Sequence, residues 1–77
     1  MASELHAMIR MKIARRELPR RPPAVTWAGR RSAERACDGC ERPLAETEFE
    51  LLFEDGRVVY FHPACHTAWA EVRREFI

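Results

Sequence analysis

Two short runs in this 77-residue chain carry side chains that can do chemistry: Cys37-x2-Cys40 and, after 21 intervening residues, His62-x2-Cys65. Three thiols and an imidazole at this spacing have the makings of a metal site. Two residues between cysteines let both thiolates reach one ion from a tight turn, and Gly39 eases that turn because glycine tolerates positive φ. The second pair falls where Pro63 signals the start of a helix, so His62 at the cap and Cys65 in the first turn can face the same way. N–H groups at that helix start favour the charged form of the thiolates. Zinc takes four such ligands at tetrahedral corners. A Cys3His shell carries a formal charge of −1 and leaves no position for water or substrate, so one structural Zn²⁺ is expected at Cys37, Cys40, His62 and Cys65. An ion of this kind contributes on the order of 10 kcal/mol to folding.

Two other readings compete. A lone CxxC can be a redox pair, but that chemistry calls for a surrounding βαβ pattern, and none flanks Cys37 and Cys40. His66 is the other histidine near the site. It follows Cys65 directly and so points about 100° away around a helix, whereas His62 and Cys65 share a face. His66 therefore reads as a surface or supporting histidine, and His6 as a solvated one.

Positioning these ligands requires a hairpin and a helix. Phe49, Leu51 and Phe53 alternate with Glu48, Glu50 and Glu54, the period of a half-buried strand with its carboxylates in solvent, although Leu52 interrupts it. Asp55-Gly56 suits a hairpin turn, and residues 57 to 61 are rich in β-branched and aromatic side chains. From Pro63, the residues Cys65, Trp69, Val72 and Phe76 form one helical stripe to about Glu75. Upstream, Ser3 is a fair N-cap, and Leu5, Ile9 and Ile13, with Met8 beside them, predict a helix from about Ser3 to Glu17, stopped by Pro19. This helix either docks on a partner or a second copy, or folds back on the hairpin.

Between the two, residues 18 to 35 hold three prolines and no periodicity, which predicts an extended linker. Trp27 stands out there as an aromatic anchor, expected to pack on the zinc module or else on a partner. The organisation expected is thus an N-terminal amphipathic helix (1–18), a basic Pro/Arg-rich linker (19–36) and a metal module (37–77).

A chain this short supports one domain and needs a staple, since apolar burial barely offsets conformational entropy at this size. Residues 1–36 hold nine basic side chains against three acidic ones, while residues 37–77 hold four against nine. Such a bipolar chain binds an anionic partner with one half, or folds the basic half onto the acidic half of itself or of a second copy. There is no apolar run of signal-peptide or membrane-spanning length, so the expected location is cytoplasmic, where thiols stay reduced.

Phe61-His62-x2-Cys65 following Cys37-x2-Cys40 resembles the first zinc-binding half of a LIM domain and, more broadly, the treble-clef zinc fingers. The resemblance covers residues 37 to about 76. Where a LIM domain continues with cysteines, this chain has Ala68 and Glu71, so a second zinc is not implied. The stretches before the knuckle and after the hairpin are also similar to small uncharacterised bacterial zinc-ribbon-like proteins. The resemblance implies a small α+β fold of knuckle, hairpin and C-terminal helix, and work as a protein-interaction or regulatory module. The alternative is nucleic-acid binding, with Arg15, Arg16, Arg20, Arg21, Arg30 and Arg31 meeting phosphates and Trp27 stacking on a base. No nucleophile set, phosphate loop or open metal position suggests an enzyme.

Overall fold

A computed structural model describes residues 4–30, 35–44 and 47–76. Helix α1 (Glu4–Ala14) is followed by strands β1 (Val25–Arg30), β2 (Thr47–Leu52) and β3 (Val58–Phe61), helix α2 (Pro63–Val72) and a 3₁₀ turn (Arg73–Phe76). The strands form one antiparallel sheet in the order β1-β2-β3. The fold is a small α+β arrangement of two helices and a three-stranded sheet. The expected N-cap Ser3 and the basic-arm residue Arg31 lie outside the described residues.

Helix α1 ends at Ala14, earlier than the proline signal suggested. Arg16 adopts a left-handed conformation (φ 64°). Its N–H donates to the Ile13 carbonyl at 3.0 Å, and the Glu17 N–H donates to that of Lys12 at 2.8 Å. This is a Schellman-type end with arginine where glycine is usual.

The apolar stripe of α1 is spent inside the molecule: Ile9 and Ile13 are buried and Leu5 packs against the core. The helix docks on α2 rather than on the hairpin.

Helix α2 follows the stripe read from the sequence. Cys65, Trp69 and Val72 are buried with Ala68, and Phe76 packs against them. One face of the sheet, with Leu51, Val59 and Phe61, meets this helix. Trp69 sits 5.6 Å from the Phe61 ring and edge-on to Phe53 at 6.1 Å, ring centre to ring centre.

The hairpin closes through a three-residue loop. Phe53 N–H donates to the Arg57 carbonyl and Gly56 N–H to that of Phe53, both at 2.9 Å. Gly56 takes the positive φ of 89° that such a loop requires.

The segment expected to be a free linker supplies a strand. β1 pairs with β2 in the register Val25↔Leu52, Trp27↔Glu50 and Gly29↔Glu48. Val-Thr-Trp is a strand-prone run, and as an edge strand it tolerates the preceding prolines. β2 thereby becomes the central strand, flanked on both sides, and Glu48, expected in solvent, is 5% exposed. Trp27, 51% exposed, lies on the sheet that β1 shares with the metal module. It stands in one cross-strand row with Glu50 and Tyr60, beside a second row of Val25, Leu52 and Val58.

Three ion pairs among the described residues join the basic half to the acidic half, Arg10 to Glu75, Lys12 to Glu41 and Arg21 to Asp55, and His6 Nε2 lies 3.6 Å from a Glu71 carboxylate oxygen. The bipolar charge pattern of the sequence is therefore in part folded onto itself.

Candidate metal centre

Cys37, Cys40, His62 and Cys65 converge: one donor atom from each lies within 4.8 Å of every other. The first pair comes from a tight turn after residue 36. Glu41 N–H donates to the Cys37 carbonyl at 2.9 Å, and Cys37 N–H to the Arg42 carbonyl, also at 2.9 Å. The left-handed residue in this knuckle is Glu41 (φ 66°), not Gly39. Glycine is required at 39 for another reason: a Cβ there would meet Cys65 Cβ at 3.0 Å and the Phe61 ring at 3.3 Å.

The second pair comes from the β3–α2 junction. His62 is extended (φ −64°, ψ 155°) and occupies the N-cap position, with Pro63 opening the helix. Cys65 falls in the first turn, and His66 N–H bonds to the His62 carbonyl at 2.9 Å.

The knuckle is fastened to the sheet by Asp38. Its N–H donates to the Tyr60 carbonyl at 2.8 Å, and its Oδ2 accepts the Tyr60 N–H at 2.8 Å. These bonds fix the distance between the two halves of the site. The spacing of ligands in the sequence gives no sign of this role for Asp38.

The imidazole is set for ligation through Nδ1. That atom lies 3.3 Å from Cys40 Sγ and 3.9 Å from Cys65 Sγ, while Nε2 is 3.0 Å from the Pro43 carbonyl oxygen. A proton on Nε2 donated to that carbonyl leaves Nδ1 with its lone pair free for a metal, the arrangement that orients most metal-bound histidines. Pro43 was not singled out in the sequence because its contribution is a backbone oxygen.

Two backbone N–H groups point at Cys37 Sγ, from Gly39 at 3.3 Å and from His62 at 3.4 Å. Such donors stabilise a thiolate.

The thiols differ in acidity. Burial pushes Cys40 up, but hydrogen bonding to Arg42, Cys37 and Cys65 and the charge of nearby His62 outweigh it and bring the thiol down to about 7. Burial and the charge of Cys37 push Cys65 up to about 12. A metal ion would reverse the penalty on Cys65, because a coordinated thiol is deprotonated outright.

A cavity of about 450 Å³ opens beside the cluster, lined by Leu5, Cys40, Pro43, His62 and Ala64 among others. Cys40, His62 and Cys65 line this cavity, while Cys37 does not and is buried.

His66 stays outside the cluster. It stacks on Phe49 at 4.4 Å with 13° between the rings and lies 6.1 Å from Trp69. Burial there holds its pKa below the ordinary value.

The donor set fits one metal ion. Three sulfurs and a nitrogen, all from protein, lie within 4.8 Å of one another with no fifth side chain of the described residues in the group. Compared with family models, curated proteins and solved structures, the chain matches none. Among the described residues no helix is long and apolar enough to cross a membrane.

Proposed function

We propose that the chain is a structural zinc module of treble-clef type whose work is to present a binding surface to a protein partner. The observation that carries the metal assignment is the converged Cys3His group with its oriented imidazole. Tetrahedral zinc with these ligands needs donor atoms roughly 3.5–3.8 Å apart. The 3.3 and 3.9 Å separations around His62 Nδ1 bracket that requirement. Three sulfur ligands favour zinc over magnesium or calcium, which take oxygen. With every position filled by protein, the ion holds the knuckle to the helix and performs no reaction. The order of knuckle, hairpin and helix supports the treble-clef reading.

The surface offered to a partner is the outer face of the sheet, where Trp27, Val25 and Val58 are exposed beside Leu52 and Tyr60. Aromatic residues in such patches carry a large share of binding energy at interfaces. The first helix is not free for this role, since its apolar stripe is buried.

Elemental analysis of the purified chain tests the metal reading. One zinc per chain is expected in the wild type, with loss in Cys37→Ser and His62→Ala and unfolding by circular dichroism on chelation. Zinc content undisturbed by His62→Ala would remove the ligand assignment. Nucleic-acid binding through Arg15, Arg16 and Arg20 is the second reading, supported by the absence of ion pairs from all three among the described residues. Salt-sensitive binding to mixed-sequence DNA or RNA tests it.

A further inference from the structure

Away from the metal centre, a cavity of about 700 Å³ lies where the end of α1, residues 18–21 and the hairpin loop meet. Its size falls within the roughly 300–1,000 Å³ usual for small-ligand sites. Arg16, Arg20, Arg21 and Arg57 line it, opposed by the single carboxylate of Asp55. Ile13, Leu18 and Phe76 supply apolar surface in the same cavity. Four guanidinium groups and one acid leave a strong positive excess around an apolar wall.

The walls are held in place. Residues 17–20 have no regular secondary structure, yet three of their carbonyls accept side-chain donors from the metal module. Trp69 Nε1 donates to the Pro19 carbonyl at 2.8 Å and Arg73 to that of Arg20 at 3.1 Å. Arg57 donates to the Glu17 carbonyl. Arg21 is pinned by Asp55 at 2.9 Å. Asp55 in turn accepts the Arg57 N–H at 3.0 Å. Among the described residues Arg16 and Arg20 form no ion pair, so their charges remain available to a ligand.

Arg16 adds an independent observation. It occupies the left-handed position that ends α1, where glycine fits without cost and an L side chain does not. The local backbone would be better served by glycine. The chain instead places a cation there, at the wall of the cavity.

From these features we infer that the cavity binds an organic phosphate monoester. Guanidinium groups match phosphate oxygens through paired hydrogen bonds, and a monoester near neutral pH carries between one and two negative charges, which suits an excess of several cations better than a carboxylate does. The apolar wall takes the organic body of the ligand. Arg16 and Arg20 hold the phosphate, while Asp55 orients the Arg21 side chain and the Glu17 carbonyl that of Arg57, without neutralising the site. The inference is independent of the metal reading, since none of these residues belongs to the Cys3His group.

Calorimetric titration of the full chain with adenosine 5′-monophosphate tests it, with adenosine, inorganic phosphate and an unphosphorylated single-stranded oligonucleotide titrated alongside. Saturable one-to-one binding of the monophosphate is expected, weaker binding of inorganic phosphate and none of adenosine. Arg16→Gly and Arg20→Gln should each weaken the monophosphate about tenfold or more. Arg42→Gln, in the knuckle, should leave it unchanged. Arg16→Gly should also keep or raise the thermal midpoint, separating loss of binding from loss of fold. Should that variant misfold, Arg20→Gln decides alone. The assignment is overturned by absence of saturable monophosphate binding, by equal sensitivity to Arg42→Gln, or by binding confined to the oligonucleotide.

Discussion

The backbone of Gly39 passes so close to Cys65 that a β-carbon on the glycine would come within 3.0 Å of the cysteine's own. The two halves of the metal centre are therefore in van der Waals contact through bare backbone. Gly39→Ala must push the knuckle off Cys65 and the Phe61 ring, a form of overpacking that costs typically about 1–3 kcal/mol. Lower thermal stability and faster metal loss to a competing chelator are the expected outcomes. A variant as stable and as retentive as the wild type would show that the knuckle has slack.

Metal uptake should release protons and weaken as pH falls. In the metal-free chain Cys65 is pushed up to about 12 and is a thiol at neutral pH, whereas Cys40, at about 7, is partly ionised. Binding must remove the Cys65 proton, so the apparent affinity rises with pH across the neutral range. Calorimetry in two buffers of different ionisation enthalpy measures the protons released. A pH-independent affinity would contradict this.

His66 should titrate below the ordinary histidine value of about 6.5, because burial disfavours its charged form. The unfolded chain then binds the extra proton first as pH drops. The stability contributed by neutral His66 is complete above about pH 6.5 and is lost as pH falls toward its folded pKa. Proton NMR on the assigned imidazole gives the value directly. His66→Phe should keep the stack on Phe49 and remove this part of the acid sensitivity.

Ile9 is 0% exposed, while Met11, two residues on, is 52% exposed. Ile9→Ala should cost about 2–5 kcal/mol in thermal or denaturant unfolding. Met11→Ala should change little, as surface substitutions stay within roughly 0.5 kcal/mol. Equal, small effects would mean that α1 is not docked on α2 in solution.

The convergence of Cys37, Cys40, His62 and Cys65, the hairpin and the stripe of α2 were legible in the sequence because each follows from a local rule. Spacing groups the four donors, alternation marks β2, and the recurrence of Cys65, Trp69 and Val72 marks the buried side of the helix. What escaped depended on contacts between distant segments. Val-Thr-Trp carries strand propensity, but only β2 lying alongside makes it a strand. Gly39 is expected from the sequence to ease the turn through a positive φ, whereas the demand for glycine comes from crowding by Cys65 and Phe61, far along the chain. Glu48 looked solvated because the third strand was not foreseen. The supporting roles of Asp38 and Pro43 rest largely on backbone groups, which side-chain patterns do not reveal.

The docking of α1 on α2 also has a consequence for the order of events at the ribosome. Ile9, Ile13 and Leu18 are made early, yet their burial involves α2, whose residues emerge late. The last of the four converging donors, Cys65, belongs to that same late segment. During synthesis these apolar side chains therefore stay uncovered until α2, which also carries Cys65, has been made. On the zinc reading proposed above, metal capture and closure of the core then fall in the same late step.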